Sequence, residues 1–85
     1  NVQEAITLLD KALKAEPQGD HILYSLAASH ARVGDEAKAL DALRRAILIQ
    51  SVHRSHARND LDFASLRNHE VFQQLTGFGL DVAEE

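Results

Sequence analysis

Apolar side chains recur along residues 1–51 at the three- and four-residue intervals of an amphipathic α-helix. Three such stretches follow one another, at about residues 2–16, 20–33 and 36–50. No alternating pattern of useful length predicts a strand. Because the connections between the stretches are only a few residues long, neighbouring helices must run antiparallel. The pattern therefore predicts an all-α fold of antiparallel helix–turn–helix units.

Residues that start or stop helices stand at the borders of these stretches. Asn1, Asp20 and Asp35 precede or open the three predicted helices, where their side chains are expected to act as N-caps. Pro17 disfavours helical geometry at the residue before it and is expected to end the first helix. Gly34 follows the second helix, at a position that requires a left-handed backbone.

The pattern weakens after residue 51. Residues 52–58 are polar and predict one or two helical turns. Asp60 is expected to cap a short segment, and Asn68 to cap a last helix at about 69–76 that ends at Gly77. The short segment holds the apolar residues Leu61, Phe63, Ala64 and Leu66. In the last helix, Val71, Phe72 and Leu75 are predicted to point inward. Phe78 and Leu80 are expected to fold back on the last turn, and residues 81–85 to fray.

A 34-residue period connects the first and third helices. The positions Ala5, Leu9, Ala12 and Leu13 recur as Ala39, Leu43, Ala46 and Ile47. Self-similarity at this interval indicates a stacked helical-repeat protein.

The repeat resembles the tetratricopeptide repeat, a 34-residue helix–turn–helix family. In residues 20–51, Leu23 occupies the first large apolar position, Leu26-Ala27 the pair of leucine and a small residue, and His30 the tyrosine-like position. Ser51 stands where the family has its final proline. The segment 59–77 is similar to the degenerate unit that closes many bacterial arrays.

The resemblance implies a domain over 1–77 and a tail over 78–85. Residues 1–17 would be the second helix of a truncated repeat, 20–51 a full repeat, and 59–77 the closing helices. The implied architecture is a fragment of a right-handed α-solenoid, at the C-terminal end of a repeat array.

In this family the first helices of the repeats line a concave groove that binds extended or helical peptides. The residues expected to line it here are His21, Tyr24, Ser25, Ala28 and Arg32, which are predicted to point away from the core. Members that bind chaperone C-termini use an asparagine where this chain has Ser25, so that mode of binding is disfavoured. The resemblance thus implies a non-enzymatic scaffold for protein–protein interaction.

Two other functions stay open. The chain is expected to lack the partner of its first helix, so one side of Ile6, Leu9 and Leu13 should be uncovered. We therefore expect either a fragment of a longer array or a homo-oligomer that uses the first helix. Self-assembly is one alternative function, and an accessory segment that positions the catalytic or regulatory domain of a larger protein is the other.

Composition and motifs exclude several kinds of site. The chain has 85 residues, which is enough for one small domain, and no cysteine, so disulfides and thiolate zinc sites are excluded. Its net charge of −4 gives no broad basic footprint for nucleic acid, and no apolar run reaches the about 18 residues of a membrane span. The compartment is not specified, although the cytoplasm is favoured.

No catalytic, cofactor or metal site is predicted. The serines occur in no nucleophile elbow, and no glycine-rich phosphate loop is present. His53 and His56 stand three residues apart, as two ligands on one helical face would, but no third ligand is near in sequence. We therefore expect both histidines to be solvent-exposed on a polar helix.

Overall fold

The computed structural model describes residues 1–79, and this part of the chain contains helices and no strand. The elements are α1 (Val2–Ala15), α2 (Asp20–Arg32), α3 (Glu36–Ile49), α4 (Val52–Asn59), the 3₁₀ helix η1 (Leu61–Leu66) and α5 (Glu70–Thr76). The predicted all-α class is confirmed, and the three long helices begin and end within one or two residues of their predicted bounds.

Most of the predicted caps are present. The Asn1 side chain accepts a hydrogen bond from the Glu4 backbone N–H at 3.1 Å, and Asp35 accepts one from the Lys38 N–H at 3.2 Å. Gly34 has a φ of 84°, in the left-handed region that closes a helix without a Cβ clash. The prediction for Asp20 is wrong: it is the first residue of α2, and Gly19 occupies the cap position without a side-chain bond.

Helix α2 lies at the centre of the molecule. It packs most extensively against α3, and also against α1 and η1. Alanines make this possible, because small side chains let helix backbones approach closely while leucines fill the remaining space. Ala27, Ala39 and Leu43 are completely buried, and Leu23 is 1% exposed.

The C-terminal third contributes the aromatic part of the core. Phe63, Leu66 and Phe72 are fully buried. The inward orientation predicted for Phe72 is confirmed, whereas Val71, also predicted to point inward, is 42% exposed. The 3₁₀ geometry of η1 has three residues per turn, so Phe63 and Leu66 share its buried face while Leu61 and Ala64 are exposed.

The end of the last helix combines one wrong and one confirmed prediction. His69, not Asn68, caps α5, since its ring Nδ1 accepts a hydrogen bond from the Val71 N–H at 3.1 Å. Gly77 ends the helix with a φ of 79°, as predicted. Phe78 packs against the core, and Leu80 lies outside the described residues.

The C-terminal end of α3 also differs from expectation. The run Ala46–Ile49 predicts a helix covered on more than one side. Ala46 and Ile47 are buried, but Leu48 is 73% exposed and Ile49 is 38% exposed. The last turn of α3 is therefore covered on one side only.

Enlarging a buried alanine should destabilise the fold. We expect Ala39→Leu to lower the free energy of unfolding by about 1–3 kcal/mol or more, because Ala39 is fully buried in the core. The matched control is Ala37→Leu on the exposed face of the same helix, for which a change within about 0.5 kcal/mol is expected. Urea unfolding of the three proteins measures both values, and an equal effect of the two substitutions would contradict the packing described here.

Candidate functional site

The five residues expected to line a groove lie on α2 but differ in accessibility. His21, Ser25 and Arg32 are exposed, and Tyr24 is half-buried. Ala28 is only 9% exposed and belongs to the hydrophobic core, so the expectation that it points away from the core is wrong. The physical reason is that η1 packs across the middle of α2.

Tyr24 is held by the chain's own C-terminal third. Its hydroxyl donates a hydrogen bond to Asp60 Oδ2 at 2.8 Å. Its ring stacks on His53, with centroids 4.9 Å apart, and meets Phe63 edge to face at 5.6 Å. The hydroxyl and the ring of Tyr24, a residue expected to line the groove, are therefore both engaged from within the molecule.

Asp60 connects η1 to α2 through its two carboxylate oxygens. One oxygen accepts the hydrogen bond from Tyr24, and the other accepts a bond from the Asp62 backbone N–H at 2.9 Å, which confirms Asp60 as a cap. Burial raises the pKa of Tyr24, and the hydrogen bond and negative charge of Asp60 raise it further. Both effects disfavour the tyrosinate.

A second cluster joins the first turns of α2 and α4. His53 Nε2 lies 2.7 Å from Asp20 Oδ2, and the exposed His21 Nε2 lies 3.7 Å from the same oxygen. His53 is only 2% exposed, so the expectation of a solvent-exposed ring is wrong for it, whereas His56 is exposed. The hydrogen bond from His53 holds the pKa of Asp20 below its usual value, against the opposing effect of desolvation.

Arg32 remains accessible at the other end of α2. Its Nε lies 3.8 Å from Asp62 Oδ1, and both side chains are about half exposed. A pair of this kind contributes about 0–1 kcal/mol. A shallow surface depression lies beside it, lined by Arg32, Ser29, the capping Asn1 and the α1 residues Val2 and Ala5. The Arg32 guanidinium therefore retains the capacity to bind a carboxylate.

Helix α1 presents an apolar stripe that is less covered than its counterpart in α3. We define the α1 stripe as Ala5, Leu8, Leu9, Ala12 and Leu13. Each of these residues is half-buried except Leu8, which is 65% exposed. The positions 34 residues later, Ala39, Ala42, Leu43, Ala46 and Ile47, are all at most 7% exposed. Ile6 does not share this exposure, since it is 5% exposed, which corrects the expectation that it is uncovered.

Comparison with protein-family models, with curated proteins and with solved structures finds no match to this chain. Within residues 1–79, no helix combines the length and the apolar character that crossing a bilayer requires.

The contact between Tyr24 and Asp60 should be visible in a pH titration. Because Tyr24 is the only tyrosine, the ultraviolet absorbance of tyrosinate reports on it alone. We expect its midpoint to lie above the ordinary value of about 10. Since the pKa is raised in the folded state, the associated stability is present below pH about 10 and is lost as the pH rises further.

Two variants identify the cause of this shift. Asp60→Asn should move the midpoint part of the way back, because burial continues to disfavour the tyrosinate. Asp62→Asn removes a carboxylate from the same segment that acts on Tyr24 only through its charge, so its effect should be smaller. An ordinary midpoint in the parent protein, or a larger effect of Asp62→Asn, would refute this account.

Proposed function

We propose that this chain is a non-enzymatic scaffold for protein–protein interaction that binds an amphipathic helix on the α1 stripe. In this proposal the helices form part of a right-handed solenoid of tetratricopeptide-like repeats. The observation that carries the proposal is the unequal cover of equivalent positions: the stripe of α3 is buried and that of α1 is not.

The chemistry of the expected partner follows from α2. Helix α2 packs more extensively against α3 than against any other element, and its residues Leu23, Leu26, Ala27 and Ala31 are buried. The α1 stripe repeats the alanine and leucine positions of α3, so it suits a helix with the same arrangement of leucine and small residues. Large aromatic residues at the centre of such a helix would prevent close approach to Ala5 and Ala12.

This surface differs from the groove that the family resemblance implies. Phe63 and Leu66 of η1 are completely buried against α2, and displacing them would expose the core. A partner is more readily accommodated at the edge formed by α1 and the exposed part of α2. Arg32 lies at that edge and would bind an acidic residue of the partner.

Self-association is the second candidate, and the same exposure favours it. Leu8 is 65% exposed on a stripe without charged members, so two copies of α1 would bury each other's apolar surface. The role of an accessory segment in a larger protein would use the same surface and remains an expectation from the sequence.

A peptide with the sequence of residues 18–34 tests the helix-binding proposal. Labelled at one end and titrated with the protein, it should give a saturable rise in fluorescence anisotropy, with a dissociation constant in the micromolar range or weaker. Leu8→Asp should abolish the rise, because a carboxylate on the stripe cannot be desolvated against a leucine.

Leu61→Asp is the matched control, since Leu61 is 78% exposed on η1 and lies outside the stripe. It should leave peptide binding unchanged. Light scattering over a range of protein concentrations tests the second candidate. A dimer that dissociates in the Leu8→Asp variant but persists in the Leu61→Asp variant would support self-association. A protein that stays monomeric and does not bind the peptide would refute both.

A further inference from the structure

Three potential metal ligands converge where the first turns of α2 and α4 meet. Asp20 and His21 come from α2, and His53 comes from α4. One carboxylate oxygen and two ring nitrogens of these residues all lie within 4.8 Å of one another. Because His53 is 33 residues from Asp20 in sequence, local spacing cannot reveal this cluster.

From this geometry we propose that Asp20, His21 and His53 bind a divalent transition-metal ion of the zinc type. The ligand set is two imidazoles and one carboxylate, which suits Zn²⁺, Co²⁺ or Cu²⁺ and not the oxygen-preferring Mg²⁺ or Ca²⁺. Three protein ligands leave the fourth position of a tetrahedral ion to solvent.

The two separations measured from the Asp20 oxygen require only small movements, and the ring nitrogens of His21 and His53 lie within 4.8 Å of each other. With metal–ligand bonds of about 2.0–2.1 Å, two ligand atoms of a tetrahedral site lie about 3.3 Å apart. The observed separations from Asp20 Oδ2 are 2.7 Å to His53 and 3.7 Å to His21, one below and one above that value. The His21 side chain is 88% exposed, so its rotation accommodates most of the adjustment.

His53 supplies the fixed part of the site. It is 2% exposed, and its ring is stacked against Tyr24, so its orientation is set by packing. Its Nδ1 has no hydrogen-bond partner within the described residues. Because Nε2–H donates to Asp20, a metal ion at Nε2 requires the ring proton to move to Nδ1, whose lone pair has no other partner among those residues.

The ion must replace the hydrogen bond between His53 and Asp20, and the buried Nδ1–H lacks the carbonyl or carboxylate partner that usually supports a ligating histidine. Both features weaken binding relative to a fully supported zinc site. The proposal is therefore a site of moderate affinity that responds to the concentration of free metal.

Calorimetric titration of the tag-free chain with Zn²⁺ is the test. We expect one ion per chain and a melting temperature that rises with Zn²⁺ concentration. Open-shell Co²⁺ or Cu²⁺ should also quench the fluorescence of Tyr24, the only tyrosine in a chain without tryptophan. That readout is specific to the site, because the Tyr24 ring lies 4.9 Å from the His53 ring.

Substitutions at the accessible ligands avoid unfolding the core. His21→Ala removes an exposed ring and should weaken Zn²⁺ binding at least about tenfold. Asp20→Asn keeps an oxygen that accepts the His53 hydrogen bond but removes the charge, and it should weaken binding similarly. His56→Ala is the matched control: its ring is 6.2 Å from His53 on α4 but lies outside the ligand set, so binding should be unchanged.

The absence of saturable Zn²⁺ binding would overturn the proposal. Binding that survives both His21→Ala and Asp20→Asn would also overturn it, as would a loss in His56→Ala equal to that in His21→Ala. Circular dichroism of each variant, which should match the parent protein, separates loss of a ligand from loss of the fold.

Discussion

The close approach of helices around α2 is the constraint on which the rest of the structure depends. Alanines are completely buried among the three long helices, at Ala27 and Ala39 above all, and their small side chains allow helix backbones to approach closely. A chain of this size buries only about 60–65% of its unfolded surface, so its margin of stability is small. The core cannot tolerate a gap or a clash between these helices, which is why the 34-residue period is expressed in small residues as well as in large ones.

Short polar links then attach the C-terminal third to this core. Asp60 caps η1 and accepts the Tyr24 hydroxyl, and Asp20 accepts the bond from His53, so each carboxylate joins α2 to a later element. The Tyr24 ring, held by its bond to Asp60, also meets the buried Phe63 edge to face. The contacts with Tyr24 lie in the first half of α2, and they explain why this residue, expected to face a peptide, is instead half-buried against the C-terminal third.

Local patterns were sufficient to predict what depends on neighbouring residues. The bounds of the long helices, the caps at Asn1 and Asp35, the left-handed Gly34 and the end of the last helix at Gly77 all follow from short-range chemistry. What required the fold was the pairing of distant residues. His53 looks like a solvated histidine in a polar segment, and only the return of α4 to the start of α2 buries it beside Asp20. The local pattern did not assign the faces of the segment after Asp60, because a 3₁₀ helix does not follow the α-helical period.

The magnitude of apolar burial limits how the α1 stripe can be used. Full burial of a leucine contributes about 1.5–3 kcal/mol. Because most of the α1 stripe is already half-buried, covering it with a matching helix offers about 10 kcal/mol of favourable apolar burial in total. Association of two free molecules costs about 4–15 kcal/mol in lost translational and rotational freedom. A lone helix in solution would therefore bind weakly, and a second contact such as a carboxylate at Arg32 would decide between partners. A helix tethered close to the stripe avoids most of that cost, which makes the same surface well suited to helices held nearby at high effective concentration.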